Sequence, residues 1–331
     1  MSNHFKYLVT GGGGFLGGAI VRMLVDRGER VRSFSRGSYA HLSRLGVEQI
    51  QGDLTDADAV VRACTGAEAV FHVAARPGVW GKYDDFYQPN VVGTRNVISA
   101  CASCGVRRLI YTSSPSVVFD GRDMEGVNES VPYPPVFDAH YPRTKAMAEQ
   151  LVMKAAADGL PAIALRPHLI WGPGDNHLVP RILARAQRLR RIGDGTKKVD
   201  TIYVDNAAHA HLLAESRLKD SPQLSGRIFF ISQDAPIPMW DMVNHILAAG
   251  GKPAVEKSIS PSLAFWLGAL FEGIYKTLGL KGEPPMTRFV ARELSTAHWF
   301  NIEAAKRDLG YTPLVSTEEG LKRLARWLER S

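Results

Sequence analysis

Cysteine is scarce in this chain: Cys64, Cys101 and Cys104 are the whole complement among 331 residues. Three thiols cannot build a disulfide framework, so the fold must rest on a buried core, and such usage suits a reducing compartment. Cys101 and Cys104 form a C-x-x-C with no second cysteine pair and no close histidine set. Apolar packing in a helix fits them better than redox or zinc chemistry, and no metal is expected. Long uncharged apolar runs are also missing, so no transmembrane span is expected. Met-Ser-Asn-His leads straight into the first strand without the pattern of a signal peptide, and a cytoplasmic location follows. Internal repeats and low-complexity tracts are absent from the sequence. Acid is in deficit, leaving a net charge of +7. The Lys and Arg residues are spread along the chain and not interleaved with aromatics in one block, which argues against nucleic acid. The excess favours anionic ligands, such as a phosphorylated cofactor or a carboxylate substrate.

What is present begins with an apolar run, Tyr7-Leu8-Val9, that enters Thr10-Gly-Gly-Gly-Gly-Phe-Leu-Gly17 and then an amphipathic stretch to Arg27. This reads as strand, tight turn and helix. Glycines 11, 14 and 17 permit a tight turn, close approach to a pyrophosphate, and close packing of helix on strand, with the phosphates at the positive helix end. The pattern continues with strands expected at 6–10, 30–35, 47–51, 69–73, 107–113 and 161–166 and helices near 15–27, 56–64, 86–104 and 142–158. Such βαβ repetition implies a doubly wound parallel sheet covered on both faces. After Arg166 the pattern loosens into a Pro/Gly-rich loop at 171–175, a basic helix near 178–191 and a strand near 199–204. A strand near 227–232 is expected to rejoin the sheet, and the remainder from about 236 reads as helical.

Tyr141 and Lys145 stand four residues apart, so a phenol and an ammonium share one helix face. A Tyr beside a fixed cation can give or take a proton at a reacting oxygen.

Taken in order, the motifs resemble those of an extended short-chain dehydrogenase/reductase of the 3β-hydroxysteroid dehydrogenase-like branch. The matching elements are Thr10 to Gly17, Gly52-Asp53-Leu54, His72-Val-Ala-Ala75, Asn90-Val-Val-Gly93-Thr94, Tyr111-Thr-Ser-Ser114, Tyr141-x-x-x-Lys145, Leu165-Arg-Pro167 and Trp171-Gly-Pro173. The resemblance implies an α/β Rossmann fold and a catalytic set of Ser114, Tyr141 and Lys145. It implies cofactor contacts from Gly11, Gly14, Phe15, Leu16, Asp53, Leu54, Ala74, Lys145 and Pro167. Ser114 would bond the substrate oxygen, whereas a turn-capping role fits Ser113 and Ser116 better. Lys145 would bond the nicotinamide ribose and lower the Tyr141 pKa.

The end of the second strand reads Ser35-Arg36-Gly37, with Arg where an acid would accept bonds from an unphosphorylated ribose and repel a 2′-phosphate. Arg36 therefore points to NADP(H). The expected division is an NADP-binding domain of residues 1–166 and 199–235, with a smaller, mainly helical C-terminal substrate lobe of residues 167–198 and 236–331.

Around 165–180 the chain is similar to 4-carboxysterol 3-dehydrogenases and to 2-alkyl-3-oxoalkanoate reductases of bacterial olefin synthesis. Both groups act on a carboxylate β to the reacting carbon, flanked by hydrocarbon, and His168 and His177 are the candidates to face that carboxylate. The resemblance is nearer to the reductases through residues 114–135 and through Arg36. It implies reduction of a 2-alkyl-3-oxoalkanoate, a homodimer, and partners among condensing and ligase-like enzymes of that pathway. Sterol oxidation, a nucleotide-sugar epimerase or dehydratase, and a non-catalytic NADP sensor are the alternatives. Thr112 is followed by Ser113 and Ser114, not by the acidic pair of the dehydratases. Leu263, Trp266, Leu267, Leu270, Phe271, Ile274, Tyr275 and Leu278 recur at helical spacing. Packing on the protein's own core is the expected role of this stripe, with a lid or a peripheral membrane contact as alternatives.

Overall fold

The computed structural model describes residues 5–330. The start at Met1–His4, read above as lacking a leader, lies outside the described residues. Seven parallel strands form the central sheet: β1 (Tyr7–Thr10), β2 (Val31–Ser35), β3 (Glu48–Gln51), β4 (Ala69–His72), β5 (Arg108–Thr112), β6 (Ala162–Pro167) and β7 (Ile228–Ile231). Their spatial order is β7-β6-β5-β4-β1-β2-β3. All six pairings are parallel, and Tyr7 faces Val31 on one side and Ala69 on the other. The order reverses between β1 and β4, and in open sheets of this kind ligands bind in the crevice beyond the strand C-termini at that point.

Both sheet faces are buried. β1, β4, β5 and β6 read as near-continuous apolar runs because each must satisfy a core on either side. Val9, Phe71 and Ile110 join helices Phe15–Asp26 and Val204–Asp220 on one face. Leu8, Val70 and Leu109 join helices Ala57–Cys64, Gly93–Ser103 and His140–Ala157 on the other. Cys64 and Cys101 are buried in this second core, and Cys104 is half-buried at its edge.

Several elements differ from the sequence expectation. The helix near 86–104 is three pieces: Tyr83–Tyr87, a π-helical turn Gln88–Val92, and Gly93–Ser103. Pro89, without an N–H, sits in the widened turn. The strand expected at 199–204 is two pairs, Lys198–Val199 and Ile202–Tyr203, and the unforeseen helix Val204–Asp220 follows at once. That helix is polar on average, because His209, Glu215 and Arg217 dilute its apolar face. The basic helix stops at Ala184, and Arg191–Ile192 pairs as a strand with Ser258–Ile259.

Beyond β7 the chain is not purely helical. Strands Ile237–Pro238, Lys198–Val199, His298–Phe300 and Met124–Val127 make a second, four-stranded sheet. Strands of two to four residues are too short to show a period, which is why their pairing escapes the sequence.

The apolar stripe does not pack on the core. In helix Pro261–Thr277 the fully buried residues are the small Ala264 and Gly268, and Leu267, Phe271 and Tyr275 are half-buried, while Leu263, Trp266, Leu270 and Ile274, with Leu278 at the helix end, face outward, Trp266 at 69% exposure. A Cβ on Gly268 would stand 2.7 Å from the Arg288 nitrogen, so the helix lies close on its neighbour through that glycine. This turns the bulky row to the surface and overturns the core role. Among the described residues no helix is long and apolar enough to cross a membrane.

Candidate active site

The glycine-rich turn closes with Gly14 N–H donating to the Gly11 carbonyl at 2.9 Å, and Gly11 has φ of +70°. A Cβ on Gly17 would lie 2.2 Å from the Gly11 oxygen, so only glycine lets the helix start this close to β1. Helix Phe15–Asp26 begins at Gly14 with no side-chain cap and no acid in its first turn. Its N-terminal N–H groups and partial positive charge therefore remain available to an anion. Phe15 is half-buried and Leu16 buried behind the turn.

At the ends of β2 and β3, Arg36 is exposed and within electrostatic reach of Asp53. The Asp53 carboxylate accepts from Thr55 N–H at 2.9 Å and from the Thr55 hydroxyl at 2.7 Å, and these bonds hold its pKa below the usual range. Leu54 is buried against Gly93. The Ser35 hydroxyl is buried with no partner, as is that of Ser113. An uncapped helix end, a cradle that a Cβ would fill and unpaired hydroxyls at two strand ends together fit a dinucleotide lying across the crevice.

A buried hydrogen-bond chain ties this turn to the helix that carries Tyr141. Thr10 Oγ1 lies 2.8 Å from His72 Nδ1, and His72 Nε2 lies 3.0 Å from Thr94 Oγ1. Burial drives the His72 pKa down to about 3, so the ring is neutral. The Thr94 hydroxyl donates to the Asn90 carbonyl, and the Asn90 amide donates to Thr144 Oγ1 at 3.1 Å. Thr10 Oγ1 also accepts from the N–H groups of Val73 and Ala74, which fixes Ala74 beside Gly11.

Helix His140–Ala157 delivers the phenol and the ammonium. Lys145 is 2% exposed, and its Nζ donates to the Thr112 carbonyl at 2.6 Å. Burial lowers its pKa to about 7, opposed by the field of Glu149. Tyr141 is within hydrogen-bonding reach of Ser114, and burial pushes its pKa up to about 12, so the phenol is protonated at neutral pH. Ser114 caps the 3₁₀ turn Pro115–Val118, accepting from Ser116 N–H at 3.3 Å, with the two hydroxyls 3.0 Å apart. The capping role expected of Ser113 and Ser116 thus belongs to Ser114 itself, because its extended backbone directs Oγ over the turn.

Pro167 is buried at the end of β6, and the next residues turn sharply, with Leu169 at a φ of +43°. His168 is buried with Nε2 2.6 Å from His298 Nδ1, while His177 is exposed at the cap of helix Leu178–Ala184. The structure brings Ser114, Tyr141 and Lys145 together, and it places neither histidine's ring free within that group. Glu149, Arg181, Glu293 and His298 escape the sequence analysis. Glu149 alone leaves a signal there, as the third member of a Tyr141, Lys145, Glu149 series at spacing four. Its carboxylate is fully buried, paired with Arg166 at 2.6 and 3.0 Å and accepting from the Tyr133 hydroxyl at 2.7 Å.

Residues 8–260 match the 3-beta hydroxysteroid dehydrogenase/isomerase family. The chain belongs to that family. It is an NAD(P)-dependent oxidoreductase with the fold of the extended short-chain dehydrogenases. It is 52% identical over 323 residues to the 2-alkyl-3-oxoalkanoate reductase of Stenotrophomonas maltophilia, spanning 96% of this chain and 98% of that protein. It is 49% identical over 326 residues to the protein of the same description from Shewanella oneidensis, spanning 96% and 84%. Among solved structures, MoeE5 in complex with UDP-glucose and NAD superposes with a TM-score of 0.76 at 25% identity, covering 98% of this chain and 99% of that one.

Proposed function

We propose that this enzyme reduces the 3-oxo group of a 2-alkyl-3-oxoalkanoate to give a 2-alkyl-3-hydroxyalkanoate, with NADPH as the cofactor. The observation that carries this reading is Tyr141. It is a phenol kept protonated by burial, in reach of Ser114 and followed by Lys145, on a chain alike over 96% of its length to a reductase of that description. A nicotinamide cofactor supplies hydride to C3 when bound. The C3 carbonyl π pair moves onto oxygen, and Tyr141 gives that oxygen its proton. Ser114 donates a hydrogen bond to the same oxygen and favours the charge that develops there. Lys145, held at the end of β5, stabilises the phenolate left behind until a solvent proton replaces the one given up.

The glycine-rich turn, Asp53, Leu54, Ala74 and Pro167 would hold the dinucleotide, and Arg36 would pair with a 2′-phosphate. The division of labour follows the chain: residues 1–166 and 199–235 for the cofactor, and 167–198 and 236–331 for the substrate. Reduction suits the protonated phenol, because oxidation of a 4-carboxysterol requires Tyr141 as a base. The test pairs NADPH oxidation with a synthetic 2-alkyl-3-oxoalkanoate against NAD(P) reduction with a 4-carboxysterol. Turnover in the first assay is expected; turnover in the second alone assigns the enzyme to sterol oxidation.

A further inference from the structure

On helix Pro261–Thr277, Leu263, Trp266, Leu270 and Ile274 recur every three or four residues and lie exposed along one side, and Leu278 continues the row at the helix end. Leu280 is exposed just beyond it. Ala269, Leu270, Gly273, Ile274, Thr277 and Leu278 line an open groove of about 500 Å³ on the same helix, and none of them carries a charge. Single exposed leucines are ordinary on a protein surface, whereas a continuous row with its own groove marks a contact.

The charges around the row are mostly of one sign. Lys276 on the helix is exposed, as are Lys257 before it and Lys281 after it, and none of the three has a carboxylate partner among the described residues. Strand Ser258–Ile259, just ahead of the helix, pairs with Arg191–Ile192, and Arg191 N–H donates to the Lys257 carbonyl at 2.8 Å. That pairing brings the run Arg188-Leu-Arg190-Arg191 beside the start of the helix. Glu272 and Glu283 are taken up by ion pairs with Arg288 and Arg181. Two exposed acids, Asp194 and Glu256, remain against these three lysines and three arginines.

The inner side of the helix is joined to the crevice side of the sheet. Tyr275 meets Trp80 edge-on at 6.4 Å, in the segment that follows the C-terminal end of β4. Beyond Trp80, Tyr83 packs against His140, the residue before Tyr141.

We propose that the outward row of helix Pro261–Thr277 is a membrane-contact face that lies in the surface of an anionic bilayer, with Trp266 and the leucines among the acyl chains and the flanking lysines and arginines at the lipid phosphates. At 17 residues, with Glu272 and Lys276 inside it, the helix is too short and too charged to cross. An amphipathic helix with aromatic and leucine side chains on one side and basic residues around it is the form that interfacial binding takes. Long Lys and Arg stems can lie along the apolar surface while their heads reach the phosphates. A second copy fits this face less well, because a two-fold contact through it would set the same cations against each other.

The test is sedimentation of the full-length protein with vesicles, without substrate, so it stands apart from the reductase proposal. Vesicles of equal parts phosphatidylglycerol and phosphatidylcholine should carry the protein down, and phosphatidylcholine alone should bind it about tenfold more weakly or less. The double variant Trp266→Asp with Leu270→Asp should lose about tenfold or more of the binding to the mixed vesicles. Lys276→Glu with Lys281→Glu leaves the apolar row intact and should weaken binding as well; it carries the test if the aspartate variant does not fold. Brominated acyl chains should quench tryptophan fluorescence of the unmodified protein on the mixed vesicles, and far less that of Trp266→Phe. No binding to the mixed vesicles, equal binding to both vesicle types, or variants that bind as the unmodified protein does overturn the inference. A dimer in solution that the aspartate variant turns into a monomer, with no vesicle binding, assigns the face to a second copy instead.

Discussion

Lys145 donates a 2.6 Å hydrogen bond to the backbone carbonyl of Thr112, which joins the helix that carries the phenol to the end of β5 two residues before Ser114. The same ammonium lies 4.3 Å from the ring centroid of Tyr111. One contact therefore sets the distance between the acid and the hydroxyl it works with. Burying that cation has two measurable consequences.

The first is a pH dependence of rate. Burial lowers the Lys145 pKa from 10.5 to about 7, so the free enzyme loses the supporting charge as pH rises through neutrality. The value of kcat/KM should fall with rising pH above about 7. Lys145→Arg, which keeps its charge, should show lower activity and no such decline.

The second is a cost in stability. Between pH 7 and 10.5 the unfolded chain holds a proton on Lys145 that the folded chain has released, so this group makes stability rise with pH. Below that window the full penalty applies, on the order of 5 kcal/mol from the size of the shift. Lys145→Met should therefore melt higher than the unmodified protein at pH 7. The gain should shrink toward pH 10, and thermal unfolding across that range checks it.

Behind Lys145, Glu149 and Arg166 form a pair with almost no exposure to solvent. Removing one partner leaves a buried charge alone, so Glu149→Gln or Arg166→Met should cost about 3–5 kcal/mol in denaturant unfolding. The double variant Glu149→Gln with Arg166→Met should recover part of that loss. Additive losses would show that the two groups are not coupled.

Arg36 bears on the cofactor. Its replacement by Ala should raise KM for NADPH by about tenfold and leave KM for NADH nearly unchanged, because only the phosphorylated ribose offers it a charge-assisted bond. Equal use of the two cofactors by the unmodified enzyme would remove the basis for NADPH.

The outward row on helix Pro261–Thr277 is open to a stability measurement. Trp266→Asp and Leu270→Asp should each change unfolding free energy by no more than about 0.5 kcal/mol, as at exposed sites generally. A core role would show losses of about 3–5 kcal/mol for each.

The alternating half of the molecule was legible because long periodic segments declare themselves. Strands β1 to β7 and the helices that carry the glycine-rich turn and Tyr141 fall where apolar runs and spacing place them. Ser114, Tyr141 and Lys145 come together as their motifs imply. What stayed hidden depends on distant partners. Glu293, whose field reaches Tyr141, comes from the far end of the chain. His168 meets His298 across 130 residues, and spacing carries no trace of that pairing. Helix Pro261–Thr277 misleads for a related reason: its apolar stripe is real, but the close approach at Gly268 decides which side turns inward.

Transfer of label from NADPH deuterated at the reactive C4 position tests the reduction most directly. With a 2-alkyl-3-oxoalkanoate, the 2-alkyl-3-hydroxyalkanoate formed should carry one deuterium at C3 by mass spectrometry. Tyr141→Phe should slow its formation by about 10²–10⁴-fold while still binding the cofactor. Product without deuterium at C3, or Tyr141→Phe at full rate, would contradict hydride reduction with Tyr141 as the acid.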